Sequence, residues 1–111
     1  RIGNYESALS GYTAALEKWP KMESAMMGRA NSLYSLGRIE EAADMLNQAA
    51  AIHTESGPVL NNLACVMLEL GELEAAFEAA TRAVKIAGPH AEACRKTLES
   101  VREAMDDKAV R

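Results

Sequence analysis

The sequence predicts an all-α chain in which antiparallel helix pairs follow one another at a fixed interval. Three observations predict it. Gly3, Gly37 and Gly71 stand 34 residues apart, and each is followed by two alanines at constant offsets: Ala8 and Ala15, Ala42 and Ala49, Ala76 and Ala83. Self-similarity at such a spacing marks stacked helix-turn-helix units. Ala, Leu, Glu and Met dominate while aromatic and β-branched residues are scarce, which favours helix over strand. Apolar positions also recur at helical spacing between short turns that carry Gly or Pro.

Each element follows from these signals. Residues 4–18 form a helix with Tyr5, Leu9, Tyr12 and Leu16 along one stripe. Asn4 caps its start, and Trp19-Pro20 stops it, because the residue before proline avoids the helical region. A second helix runs from Met22 to Leu36 and ends at Gly37, the residue type best able to take positive φ beyond a helix. A third spans Ile39 to Ile52, with Glu40 and Glu41 at the positive end of its dipole. Thr54-Glu55-Ser56-Gly57-Pro58 is a turn whose proline suits a first helical turn. The fourth helix spans Val59 to Leu70, and the fifth Leu73 to Ala87, where Gly88-Pro89 breaks it. The sixth, from His90 to Asp106, carries Cys94, Leu98, Val101 and Met105 on one face. Short connections force consecutive helices to pack antiparallel.

Bulk properties exclude several classes. At 111 residues, 49% hydrophobic and 25% charged, the chain is a globular domain with a thin continuous core. A net charge of −4 argues against nucleic acid, whose binders show a basic face. No apolar run is long enough for a membrane span, so a soluble, cytoplasmic setting is expected. The cations of the last helix, Arg95, Lys96, Arg102, Lys108 and Arg111, are offset by its own acids, and read as a solvated face. Cys65 and Cys94 are too few for a metal motif or disulfide framework, and both are expected to be small buried thiols at inward or groove-facing positions. The chain begins with Arg1 rather than Met, so an internal cut is expected there.

The register resembles the tetratricopeptide repeat. Gly3-Asn4-Tyr5, Ala8, Tyr12, Ala15 and Pro20 match the second helix of one repeat, so residues 1–22 read as half of a truncated unit. Residues 23–56 match a full repeat through Met26, Ala30, Leu33, Gly37, Ala42, Leu46 and Ala49. Residues 57–90 match another through Leu60, Leu63-Ala64, Met67, Gly71, Ala76 and Ala83, and residues 91–111 resemble a terminal solvating helix. The resemblance implies a right-handed α-solenoid of antiparallel helix pairs, together one domain. The small residues sit where paired helices approach closely, and a larger side chain there typically costs ~1–3 kcal/mol.

There are departures. Arg29 replaces a usual leucine and is expected to lay its stem on the core and its head in water or on an acid. Ala80 replaces an aromatic, and Phe77 is expected to supply its volume. With no first helix in the first unit, Leu9, Tyr12 and Leu16 are expected to be exposed as an edge interface, with the chain cut from a longer one or forming a homodimer there.

Function, on this resemblance, lies in a concave groove lined by the first helices, which docks a protein or peptide segment. Residue by residue, that places Met27, Asn31, Tyr34 and Ser35 in it, then Asn61, Asn62, Cys65, Leu68 and Glu69, and finally Arg95 and Lys96. Asparagines can pair with a peptide backbone, and Tyr34, Met27 and Leu68 offer apolar contact. Some family members grip acidic C-terminal chaperone tails with a carboxylate clamp. Asn31, Asn62 and Lys96 fall at matching places, but Met27 and Glu92 stand where the clamp needs cations. The alternative is a non-catalytic accessory domain of a larger enzyme, such as a bacterial papain-like cysteine peptidase. No phosphate loop, zinc spacing or nucleophile elbow is present, so neither cofactor, metal nor catalytic residue is expected. His53 and His90 read as exposed turn histidines.

Overall fold

The structure, a computed structural model, describes residues 2–86 and 91–110. Among the described residues six helices follow in order: α1 Ile2–Lys18, α2 Glu23–Ser35, α3 Ile39–Ile52, α4 Gly57–Glu69, α5 Leu73–Ile86 and α6 Ala91–Val110. No strand occurs among the described residues. The expected Gly88-Pro89 break and His90 lie outside them.

Two turns are built alike one repeat apart. After α2, the Arg38 N–H reaches back to the Leu33 carbonyl at 2.9 Å and the Gly37 N–H to Tyr34 at 2.9 Å. After α4, Glu72 reaches Met67 at 2.9 Å and Gly71 reaches Leu68 at 3.1 Å. This is the Schellman closure, which satisfies the last carbonyls of a helix and requires left-handed backbone at its glycine. Gly37 and Gly71 have φ of 80° and 79°. Gly3, at the same register, lies inside the first turn of α1 and is helical.

Helix starts differ from the sequence reading at two places. α1 begins at Ile2, so Asn4 lies within its first turn rather than at its cap. α4 begins at Gly57 because Ser56 caps it, its hydroxyl accepting from the Val59 N–H at 3.3 Å with Pro58 in the first turn. α6 continues to Val110, four residues beyond the expected end, since no Gly or Pro interrupts it. At the start of α3, Arg38 donates from Nε and Nη2 to the two Glu41 carboxylate oxygens at 2.9 and 2.7 Å. That hydrogen bonding holds the Glu41 carboxyl below its ordinary range.

The chain divides into two compact units, Arg1–Thr54 and Glu55–Arg111. In the first, α2 packs against both α1 and α3. Met26, Leu33 and Leu46 are essentially inaccessible there, with Ala30, Ala42 and Ala49 beside them. In the second, α5 packs against α4 and α6, and α4 also meets α6. Val59, Leu60, Val101 and Cys94 fill that core around Ala64, Ala76, Ala80 and Ala83. Full burial of each larger side chain contributes ~1.5–3 kcal/mol, and the alanines let the backbones come close enough to achieve it.

Three side chains make contacts that the sequence alone does not specify. The Arg29 head makes side-chain contacts on two neighbouring helices: Nε donates to the Thr13 hydroxyl of α1 at 3.2 Å, and Nη1 lies 3.7 Å from the Met45 sulfur of α3. One guanidinium thus spans all three helices of its unit. His53 is half-buried rather than solvated, donating from Nε2 to the Lys21 carbonyl at 2.7 Å, with Nδ1 3.6 Å from Glu23. It ties the end of α3 to the α1–α2 turn. Phe77 is half-buried under the Arg102 guanidinium, 6.0 Å from its ring, and does not join the fully buried Ala80 in the core.

Candidate partner-binding site

The first-type helices α2, α4 and α6 each bury one face and leave the other open. On α2, Ala25, Met26, Ala30 and Leu33 are buried. Met27, Asn31, Tyr34 and Ser35 follow at the spacing of a single helical face, and three of them are exposed, with Met27 half-buried. Tyr34 is 42% accessible, a high value for an aromatic side chain on a packed helix.

In the second unit the corresponding face of α4 holds half-buried Asn61, Asn62 and Leu68, with Cys65 and Glu69 exposed. The Asn61 Oδ1 is buried and has no hydrogen-bond partner among the described residues. On α6, Arg95 and Lys96 are exposed, and Lys96 lies 3.6 Å from Glu92 one turn earlier. α4 and α6 meet at this face. The Cys65 sulfur is 3.7 Å from the Thr97 hydroxyl, which itself donates to the Ala93 carbonyl at 3.0 Å. Against the expectation that both thiols are buried, Cys65 is exposed, because it lies on the open face of α4, while Cys94 is buried, and burial pushes the Cys94 thiol above its ordinary range.

Thr97 is a face residue outside the set that sequence reading assigns to the site. Spacing gives no signal for it, since residues two apart on a helix face different ways, and its contact with Cys65 depends on helix packing. At the other end of the chain, the edge residues Leu9 and Leu16 are half-buried and Tyr12 is 37% exposed. Tyr5 and Trp19, 39% and 49% exposed, belong with them.

A separate open cavity of about 570 Å³ lies between α5 and α6, over Phe77, Thr81 and Met105 with Arg82 and Lys85 at its rim. Among the described residues, no cluster of His, Cys, Asp or Glu could hold a metal ion, and no helix is long and apolar enough to cross a membrane.

Comparison with known proteins agrees with this architecture. Residues 1–58 and 57–90 each match the family described as tetratricopeptide repeat. The chain belongs to the tetratricopeptide-repeat family. It superposes on the Sgt2 TPR domain from Aspergillus fumigatus with a TM-score of 0.90 at 20% identity, covering 98% of this chain and 73% of that one. The first TPR of Spaghetti (RPAP3), bound to the HSP90 peptide SRMEEVD, is similar with a TM-score of 0.85 at 20% identity, over 94% and 82%. MamA gives 0.82 at 22% identity, over 94% and 60%. At these identities the likeness shows the fold. By sequence, the chain is 38% identical over 63 residues to Rhomboid protease GluP of Bacillus subtilis (strain 168). That match takes in 57% of this chain and only 12% of GluP.

Proposed function

We propose that the chain is a protein-interaction module that docks a peptide segment on the open faces of its first-type helices. The observation that carries the reading is the α4–α6 face. There the contact of Cys65 with Thr97 joins two helices into one surface, bearing amide, thiol, hydroxyl and charged groups above an apolar core. Such a surface can hydrogen-bond an extended backbone through Asn62 while Leu68 takes an apolar side chain. A relative of the same fold holds a peptide, SRMEEVD, which supports the reading at the level of the fold. The test is selection of binders from a displayed peptide library, followed by measurement on variants. Asn62→Ala should weaken peptides selected on the α4–α6 face roughly 10-fold or more, the loss expected when buried hydrogen bonds to a ligand are removed, and Asn31→Ala should do the same for any peptide selected on the α2 face. Unchanged affinity for every selected peptide would remove these faces from the account.

A second reading is favoured by the GluP match. The chain would then serve as a non-catalytic repeat domain attached to an enzyme, positioning it or its substrate. Whether the native polypeptide carries a catalytic domain decides this reading.

A further inference from the structure

The cavity over Phe77 and Met105 lies outside the faces that carry the peptide-docking reading, and the repeat gives it a meaning. The α5–α6 pair stands two repeat lengths after α1–α2, so Glu6 corresponds to Glu74, Thr13 to Thr81, Arg29 to Thr97 and Gly37 to Met105. In the first unit a helix takes the open side of the pair. α3 packs on α2, and the Arg29 guanidinium reaches both Thr13 of α1 and Met45 of α3. α3 also begins with a cation that senses α1. The Glu41 hydrogen bonds raise the Arg38 guanidinium above its ordinary range, and the Glu6 carboxylate adds to this.

The second unit has the seat without the helix. Gly37, at φ 80°, turns the chain back into α3, but Met105 stands at that register in α6. Left-handed backbone costs a residue with a Cβ ~1–2 kcal/mol, so α6 does not turn there and runs on to Val110. The side that α3 covers in the first unit is therefore an open cavity of about 570 Å³ in the second. Along α5 it is lined by Glu74, Phe77 and Glu78 towards the start, with Met105 of α6, and by Thr81, Arg82 and Lys85 towards the end. The Thr81 hydroxyl is buried and has no hydrogen-bond partner among the described residues, whereas that of Thr13 receives Arg29. Thr97, at the Arg29 register, meets Cys65 instead. Leaving such a hydroxyl unsatisfied costs ~1–3 kcal/mol, which an acceptor brought from outside would relieve.

We propose that this groove docks an amphipathic helix of another polypeptide, in the place that α3 takes in the first unit. The lining specifies the chemistry of the guest. A cation at its start meets Glu74 and Glu78, as Arg38 meets the field of Glu6. An apolar side chain rests on Phe77 and Met105, and a carboxylate one turn further on accepts from Thr81 beside Arg82 and Lys85. Anchors one turn apart are the helix-in-groove mode of recognition. The same gradient fixes direction: the positive end of the guest's dipole belongs by the glutamates and the negative end by Arg82 and Lys85, so the guest runs parallel to α5. α3 runs parallel to α1 in the same way, each packing on α2 across a short turn. A second copy does not match this gradient, because α1 has its one described cation in its last turn and α2, α5 and α6 begin with acids.

The probe is a labelled, stapled alanine-based peptide of about 16 residues, held helical because free helices of that length are marginal. It carries lysine in its first turn, leucine next on the same face and glutamate one turn beyond. Fluorescence anisotropy should show saturable binding to the chain, and a peptide with lysine in place of that glutamate should bind roughly 10-fold or more weakly. Arg82→Glu with Lys85→Glu should reverse the preference. Thr81→Val breaks no bond within the chain, so its melting temperature should hold or rise, while the glutamate peptide weakens roughly 3-fold or more. A nitroxide on the first residue of the peptide should broaden amide resonances at the start of α5 more than at its end. Absence of saturable binding overturns the proposal, as does a preference that the reversed pair leaves unchanged, or broadening centred away from α5. Self-association of the chain that the reversed pair abolishes would seat a second copy in the groove and overturn it too. The groove stands on α5 and Met105, so docking on the open faces of α2, α4 and α6 is decided separately.

Discussion

Tyr12 lies so close over Gly28 that a Cβ added to the glycine would clash with the Cζ and Cε atoms of the ring. Gly28 is therefore kept in the middle of α2 against its helix propensity, which disfavours it relative to alanine by ~1 kcal/mol. Gly28→Ala should lower thermal stability, since Tyr12 must leave its seat. In a Tyr12→Ala background the same substitution should raise stability by about 1 kcal/mol, the propensity gain without the clash. Denaturant titration of the four proteins checks the cycle. A stabilisation of equal size in both backgrounds would deny the contact.

Glycines at one register should respond with opposite signs. Gly37 and Gly71 take left-handed backbone with open space around them, so Ala substitution there costs about 1–2 kcal/mol from the backbone alone. Gly3 is helical and likewise open, so Gly3→Ala should stabilise by up to ~1 kcal/mol. Urea midpoints of the three single variants decide it, and a uniform loss would contradict the helical placement of Gly3.

The two cysteines should separate kinetically. Cys65 is exposed, whereas Cys94 is 1% exposed with its thiol held protonated by burial. A thiol reagent at neutral pH should modify one site quickly, mapped to Cys65 by mass spectrometry, and Cys94 only on unfolding. Comparable rates in the native chain would contradict the packing of α6.

Acidic peptides should be poor ligands. Glu92 and Glu69 stand on the α4–α6 face, and Lys96 is already near Glu92 at 3.6 Å. SRMEEVD, the peptide held by the RPAP3 relative, should bind this chain weakly by calorimetry. Glu92→Lys should raise its affinity several-fold at low salt, an effect that fades as ionic strength screens it. Tight binding by the unaltered chain would refute the charge argument.

Much of the fold was legible in the sequence because its signals are local and repeated. The glycines at 37 and 71 marked helix ends by backbone conformation, and the alanines at 42, 49, 76 and 83 marked close crossings by size. Ser56 as the cap of α4 depends on its hydroxyl turning back to the Val59 N–H, which the composition of the turn around Pro58 does not specify. What depends on three-dimensional neighbours was not legible. Arg29 finds a threonine hydroxyl sixteen residues away on another helix, and His53 finds a carbonyl in a turn thirty-two residues earlier. The candidate site divides in the same way. Helical spacing grouped Met27, Asn31, Tyr34 and Ser35, but the meeting of Cys65 with Thr97 required α4 and α6 to be packed.

The most direct test of the interaction reading is an amide NMR titration of the isotopically labelled chain with a library-selected peptide. The account predicts saturable shifts concentrated at residues 61–69 of α4 and 92–97 of α6, the face that carries the reading, with α3 and α5 little changed. Shifts confined to α3 and α5, or to the cavity over Phe77 and Met105, would contradict it.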